Sequence, residues 1–456
     1  MFKRPMGYVL IFIFAVVSFQ KIYGERPANR NLPFAREVFR SSKHNGMDCS
    51  VFFTRASSTY EALDGRETVT HPWGGYNFKD AIASYQKYRS DLGLSFTNPI
   101  QALQGSDIYN DKDIPFDVLS NQRVFGLNFS YYKMFEGALS KATSGISMPK
   151  GARGFLSDVE LYIGAEVPVM HASSNAHYAL NLTSYSLDSV VRNMSVRDRA
   201  YVDEARRYFQ QDDLGLSSNT WSATGFGDFH AYIGLGKKFN HKCRFRSMDF
   251  SAVIGVTIPT CEKFNIDRPL SFSFGSEGVT THLDLLAELE LKQGWRTGCS
   301  LGITSGYTST EERRVPVPSE PHMLSPLKFS PRVKTGFTIA TMPYFTYENI
   351  RPGFHATVRY THVWHGEDGW YDERENPMVR SVFNRSEAGQ AEAMAKLENW
   401  TSWSAAFLNL SLVYDPGQLS GKWLSYPLLW VSYDYPFNSD SVVRNRRLAV
   451  GVTLRF

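Results

Sequence analysis

Beyond its opening segment the sequence has no run of about 18 apolar residues, the length a membrane helix needs, so a bundle of membrane helices is excluded. Cysteine is scarce. Cys49, Cys243, Cys261 and Cys299 form no CxxC pair and carry no accompanying histidine spacing, so neither a zinc site nor thiol redox chemistry is supported. Charge of one sign is also lacking. Against 49 Lys and Arg stand 45 Asp and Glu, a net +4 over 456 residues with no basic run, which leaves nucleic acid little to hold. No HExxH occurs, and no serine stands in a recognisable nucleophile context. His230, His282, His355, His362 and His365 lie on or beside candidate strands, with Asp228 two residues from His230 on the same face. Such lone histidines on strands more often serve as hydrogen-bonded polar filler, so no catalytic, cofactor-binding or metal-binding set is expected.

What the chain has in quantity is glycine and aromatics: 34 Gly, 32 Phe, 24 Tyr and nine Trp, a bias toward β structure. With 43% hydrophobic residues it is too apolar for disorder, yet its mean hydropathy is −0.30. At the start, Lys3 and Arg4 precede the apolar stretch Tyr8 to Phe19, and Gly24 is a small residue suited to cleavage. Residues 1–24 are therefore expected to be a secretion signal, and 25–46 a periplasmic N-terminal segment. An uncleaved amphipathic anchor fits less well, because the stretch is uniformly apolar.

From there on the dominant signal is alternation. Leu448, Val450, Val452, Leu454 and Phe456 fall on one face, and Arg447, Ala449, Gly451, Thr453 and Arg455 on the other. The same holds for Phe354 to Trp364, Met248 to Ile258, Phe229 to Leu235, Val159 to Val167 and Leu283 to Leu291. These runs have the length of a tilted membrane strand and exceed the usual soluble strand. Strands are expected near 47–56, 122–134, 155–170, 224–239, 245–260, 279–291, 295–308, 332–346, 353–365, 400–414, 423–435 and 446–456, about twelve within a range of ten to sixteen.

A soluble sandwich alternates too, so the connections decide. Short turns follow the fourth, sixth, eighth and tenth strands, the last three bearing Gly or Pro, while the intervening connections, 57–121, 171–223, 261–278, 309–331 and 366–399, are long and polar. Turns at one end and loops at the other is the layout of a transmembrane antiparallel up-and-down barrel, here filling 47–456. The 135–154 connection is long where the pattern wants a turn. The 57–121 region is expected as a loop, a lumen plug or two further strands, with a helix near Phe78 to Leu92; further loop helices are expected over Ser195 to Gln211 and Ser386 to Leu397.

The face opposite the apolar one carries charge of both signs. Glu160, Glu166, Asp228, Asp249, Asp284, Glu288 and Glu290 fall on the third to sixth strands, and Arg296, Arg332, Lys334, Arg359, Arg447 and Arg455 mainly on the seventh to ninth and the last. Two arrangements fit. Acidic and basic arcs facing each other would put a transverse field across a wet lumen, or the charges would pair between strands and fill a narrow barrel.

A secretory signal, alternating strands up to the last residue, and the terminal aromatic Phe456 resemble bacterial outer-membrane β-barrel proteins of the porin-like or hydrophobic-substrate channel class. The Gly225-Phe226-Gly227-Asp228 strand entry and the hairpin closing at Ile258-Pro259-Thr260 add to the likeness. The resemblance implies an integral protein among outer-membrane lipid, recognition of Phe456 by the barrel-assembly machinery, and passive or weakly selective passage of small solutes, with no nucleic acid partner. A surface adhesin or structural barrel is the alternative, and a fatty-acid-type transporter or barrel hydrolase fits less well.

Overall fold

The computed structural model describes residues 45–56, 76–135, 158–181, 194–240, 245–310, 328–371, 401–417 and 426–456, a few gaps within them aside, together with isolated loop residues. The expected secretion signal, nearly all of 25–46 and the expected helix at Ser386 to Leu397 lie outside the described residues.

Twelve strands close into one antiparallel barrel: β1 (Gly46–Ala56), β2 (Pro115–Phe135), β3 (Glu160–Leu180), β4 (Phe229–Asn240), β5 (Ser247–Ile258), β6 (Thr280–Lys292), β7 (Trp295–Gly306), β8 (Thr338–Arg351), β9 (Phe354–His365), β10 (Trp403–Tyr414), β11 (Leu428–Asp440) and β12 (Arg446–Arg455). Each pairs with its successor, and β12 returns to β1 with Arg455 opposite Gly46 and Arg446 opposite Arg55, so no barrel edge is left unpaired. The expected up-and-down barrel is thus the observed one.

The pleat sorts the side chains. Val51 and Phe53 on β1, Phe125 and Phe129 on β2, Leu408, Leu410 and Leu412 on β10, and Leu448, Val450 and Leu454 on β12 all stand exposed, while Ser50, Thr54, Asn409 and Ala449 between them are buried. An apolar exterior this extensive has no place in water. With every strand paired around the circle it suits hydrocarbon, where unsatisfied backbone groups are costly, and the barrel spans a bilayer. At the short-turn end an aromatic belt marks the interface: Trp295 lies 5.2 Å from Tyr347, Phe354 4.6 Å from Tyr414, Phe239 6.0 Å from Phe250 and Tyr131 6.4 Å from Phe456, ring centre to ring centre. Turns there are tight. Between β6 and β7 the chain reverses through Gly294 at φ +80°, where a Cβ would come within 2.6 Å of the Glu348 carbonyl.

Inside, aromatic rings fill the space over glycines of the neighbouring strand. Phe52 covers Gly126, Tyr232 covers Gly164, Tyr162 covers Gly234, Tyr344 covers Gly298 and Trp430 covers Gly451, each pair directly opposite in register. A Cβ at Gly126 would stand 2.3 Å from the Phe52 ring. Gly126→Val is expected to destabilise the barrel by about 1–3 kcal/mol through overpacking, seen as a lower temperature for the heat-induced shift in electrophoretic mobility. Adding Phe52→Leu recovers part of that loss; a Gly126→Val barrel as heat-resistant as the parent would contradict the packing described.

Several strands differ from their expected bounds. β2 and β3 run further into the long-loop end, with Phe116 opposite Leu180, so the expected 171–223 loop is strand over its first ten positions. The fourth strand is interrupted: a separate segment, Thr220–Phe226, pairs with β3, and β4 resumes at Phe229. The eighth begins at Thr338 rather than 332, because Arg332–Lys334 is diverted into a small sheet with Ser309–Thr310 and Gly369–Tyr371. Gly336, whose Cβ would meet the Gly366 carbonyl at 2.3 Å, marks the bend between the two.

In the described part of the 57–121 region, strand is confined to Thr59–Tyr60, Tyr76–Asn77 and the first residues of β2, and the rest is mainly helical. It carries α1 (Phe78–Asp91), α2 (Asn98–Gln104) and α3 (Asp107–Asp111), and the connection after β3 adds α4 (Val196–Tyr208), capped by Ser195 accepting from the Asp198 amide and extended by a π turn, Phe209–Asp213. Ile82, Ile100, Leu103, Val202 and Phe209 bury against Phe116, Val118 and Tyr178 of the β2–β3 extension. Those three share the parity of the inward-facing Val124 and Ala172, so the helical cap packs on the lumen side of the extension and overhangs the mouth. Within it, burial raises the Asp213 carboxyl above its ordinary pKa, opposed by a hydrogen bond from Thr97 and the charge of Arg89, 3.4 Å away.

Candidate functional site in the barrel interior

A sheared barrel turns a row of directly opposed residues into a spiral. One such row joins most of the interior charge: Lys238 on β4 faces Asp249 on β5, which faces Glu288 on β6, then Gly298, Tyr344, Arg359, Asn409, Asp434, Arg447 and Thr54 in turn. It starts at the short-turn end beside Asn240 and reaches the long-loop end, where Thr54 is followed by Val124, Ala172 and Ala223.

Along this row the signs interleave. Arg296, next to Gly298 on the same face, donates to Glu288 at 2.9 Å and lies 3.0 Å from Glu348 and 3.8 Å from Asp249. Tyr344 also donates its hydroxyl to Glu288, which is 3% exposed. Asn409 donates to Asp434, whose other oxygen is 3.1 Å from Arg447. Arg455 pairs with Asp415 at 2.9 Å, near the turn after β10. Separate acidic and basic arcs are therefore not what the fold builds: Arg296 on β7 stands among acids because β6, its neighbour, carries Glu288, and Arg447 meets Asp434 because β12 follows β11.

The other expected interior residues divide. Glu160 and Glu166 are on the inner face of β3, where Glu166 accepts from Asn128 at 2.7 Å and stands opposite His230. Asp284, 7% exposed, lies on β6 with His282 4.0 Å away. Glu290 takes Arg246 at 3.6 Å near the turn. Arg332 and Lys334 are off the wall entirely, exposed on the small sheet at the loop end, because the chain leaves the barrel before Thr338. Asp228 sits in the gap between Phe226 and Phe229 and accepts from both the amide and the hydroxyl of Ser276.

Ser276 belongs to the element that sequence reasoning missed. The β5–β6 connection, expected as a long polar loop, turns inward: Phe272 and Phe274 bury against Phe52, Val124, Met170 and Ala172 of the inner wall, with Trp221 5.0 Å from Phe272. Three anchors hold it there, namely Asp228 to Ser276, Thr260 to the Gly227 carbonyl, and Ser174 to the Leu270 carbonyl at 2.6 Å. Beside the rings a small cleft is lined by Trp221, Ala223, Asn265, Arg268, Ser271, Phe272 and Phe274. The segment Leu270-Ser271-Phe272-Ser273-Phe274, apolar at alternate positions inside a polar stretch, was the available signal.

No family model matches the chain, and no curated protein matches it in sequence. Among solved structures it is similar to an outer-membrane channel from Pseudomonas putida F1 (TM-score 0.46, 10% identity, 93% of this chain and all of that one). It is also similar to the β domain of a Bordetella autotransporter (TM-score 0.32, 9% identity, 91% and 100%) and to a mutant of a monoaromatic hydrocarbon channel (TM-score 0.30, 8% identity, 91% of each).

Two of the histidines take structural partners. His230 bonds Thr257 rather than Asp228. His365 bridges Thr338 at 3.0 Å and Asp368 at 3.2 Å, a hydroxyl–imidazole–carboxylate series, but its side chain is fully buried, and Asp368 is committed as well to the Gly336 amide. That arrangement ties the β8–β9 end to the small sheet and presents no surface to a substrate.

Proposed function

We propose that the protein is an outer-membrane channel for passive or weakly selective passage of small solutes, with its route along the polar spiral and its narrowest point under the inward loop. The observation that carries this reading is the row of ionisable and hydrogen-bonding side chains from Lys238 to Thr54, interrupted at Gly298 where the Tyr344 ring lies over the backbone, which crosses the barrel from one end to the other. Barrels that serve only as anchors have no need of such a row. Paired and partly buried as they are, these charges suit small solutes better than a wide aqueous pore, and the cap and loop narrow the mouth further.

Reconstitution of folded, heat-modifiable protein into a planar bilayer tests the reading. Discrete conductance steps are expected; their absence would sink the channel and leave the adhesin or structural barrel. The outer-membrane location is tested by fractionation of the producing cell. Assembly depends in this reading on Phe456, whose amide bonds the Asn45 carbonyl at 3.2 Å beside the Tyr131 ring. Deleting Phe456 is expected to lower the yield of heat-modifiable barrel in the membrane severalfold, whereas unchanged yield would refute the assembly-signal role.

A further inference from the structure

The outer wall carries one charged feature that the channel does not use. Arg446, Arg55 and Arg123 stand side by side on β12, β1 and β2, with Arg55 directly opposite each of the other two. All three share the parity of the lipid-facing Leu448, Phe53 and Phe125 two positions away, and all three are exposed. They lie at the long-loop end, where the apolar band stops.

Like charges directly opposed in a sheet repel. Among the described residues no carboxylate forms an ion pair with any of the three, while interior arginines such as Arg296 and Arg447 do pair. Arg446 lies 5.6 Å over the Tyr435 ring, which supplies no counter-charge. The row continues through Ser173 and Ser222, in register beyond Arg123, adding hydroxyls on the same level. With strands about 4.8 Å apart, the three guanidinium groups span about 10 Å of the membrane boundary.

We propose that Arg55, Arg123 and Arg446 bind the phosphorylated headgroup of a lipid in the leaflet nearest the long loops, specifically a glycolipid carrying more than one phosphate. Three unneutralised guanidinium groups call for more than one negative charge, and their planar forks fit phosphate oxygens two at a time. The acyl chains of such a lipid lie against Phe53, Phe125 and Leu448 directly below. The choice of a glycolipid rests on the outer-membrane placement proposed above; the phosphate chemistry does not.

The test uses the full-length protein in detergent with diphosphoryl lipid A as probe, scored by native mass spectrometry as the fraction retaining one lipid. Arg55→Gln/Arg123→Gln/Arg446→Gln is compared with the parent, and Arg123→Gln alone serves if the triple variant does not fold. The parent is expected to retain the lipid, the triple variant several-fold less and Arg123→Gln an intermediate amount, with heat-modifiability and bilayer conductance unchanged. Equal retention by folded parent and variant, or no retention by either, overturns the site. Displacement by millimolar inorganic phosphate overturns the lipid assignment in favour of a free-phosphate site. Failure of the channel reading shows differently, as missing conductance in both proteins while the difference in lipid retention persists.

Discussion

Arg296→Met is expected to destabilise the barrel by about 3–5 kcal/mol, since removing one partner of a buried ion cluster leaves the other charges uncompensated. Arg296 is the shared counter-charge of Glu288 and Glu348 and the near neighbour of Asp249, while Lys238, 3.9 Å from Asp249 and more exposed, is too distant from Glu288 to replace it. Glu288 would lose its bonded guanidinium and keep the Tyr344 hydroxyl. The measurement is the midpoint of urea unfolding in detergent, followed by the heat-modifiable mobility shift. Glu288→Gln alone is expected to cost less, because an amide still accepts from Tyr344. Arg296→Met combined with Glu288→Gln should recover a substantial part of the loss, giving a coupling energy on the order of 1–3 kcal/mol in the double-mutant cycle. Additive losses would show that Arg296 and Glu288 act independently, contrary to the 2.9 Å bond. In the bilayer, the same single variant should shift ion preference toward cations, because one positive charge has left a balanced set, Lys238, Arg296, Arg359 and Arg447 against Asp249, Glu288, Glu348 and Asp434.

That balance explains what the sequence can and cannot disclose about the interior. Alternation shows that Asp249, Glu288, Arg296, Arg359 and Arg447 share the inner face, since a period of two puts them opposite Phe250, Leu289, Trp295, Val358 and Leu448. It is silent on register. Which residue meets which depends on the shear of the closed sheet, and only the strand pairing shows that Asp434, on a strand where few charges drew notice, stands between Asn409 and Arg447.

Strand existence was legible for the same reason that some boundaries were not. Within the bilayer, outward residues must be apolar, so the contrast with the inner face is strong. Past residue 170 on β3 the outward positions become His171, Ser173 and Asn175, polar because that length has left the hydrocarbon, and the signal fades although the ladder to β2 continues. The reverse happens at Arg332-Val333-Lys334, where a polar–apolar–polar triplet reads as the start of a barrel strand but pairs instead with Ser309–Thr310 and Gly369–Tyr371. Helices fared better. Phe78 to Leu92 is met by α1 and Ser195 to Gln211 by α4, whereas the packing of the helical cap on Phe116 and Tyr178 is a long-range contact that no local pattern encodes.

Replacing residues 264–276 with a short Gly-Ser linker is expected to raise single-channel conductance several-fold, the largest functional change foreseen for any alteration of this chain. The segment occupies lumen volume at the level of Phe52, Val124 and Met170, where the spiral ends and the inner wall turns apolar. Ions crossing there meet rings rather than carboxylates, so this level dominates the resistance if the lumen is the route. A finer variant separates volume from anchoring. Phe272→Ala with Phe274→Ala removes two buried rings, each worth about 3 kcal/mol of local packing or more, and should widen the constriction while leaving the backbone anchor at Ser174 intact. Asp228→Asn instead weakens the hold on Ser276 without emptying the lumen, and is expected to leave the mean open conductance near that of the parent while increasing current fluctuation. If the linker variant conducts no better than the parent, the constriction lies elsewhere, and the helical cap over the β2–β3 extension becomes the element that limits passage.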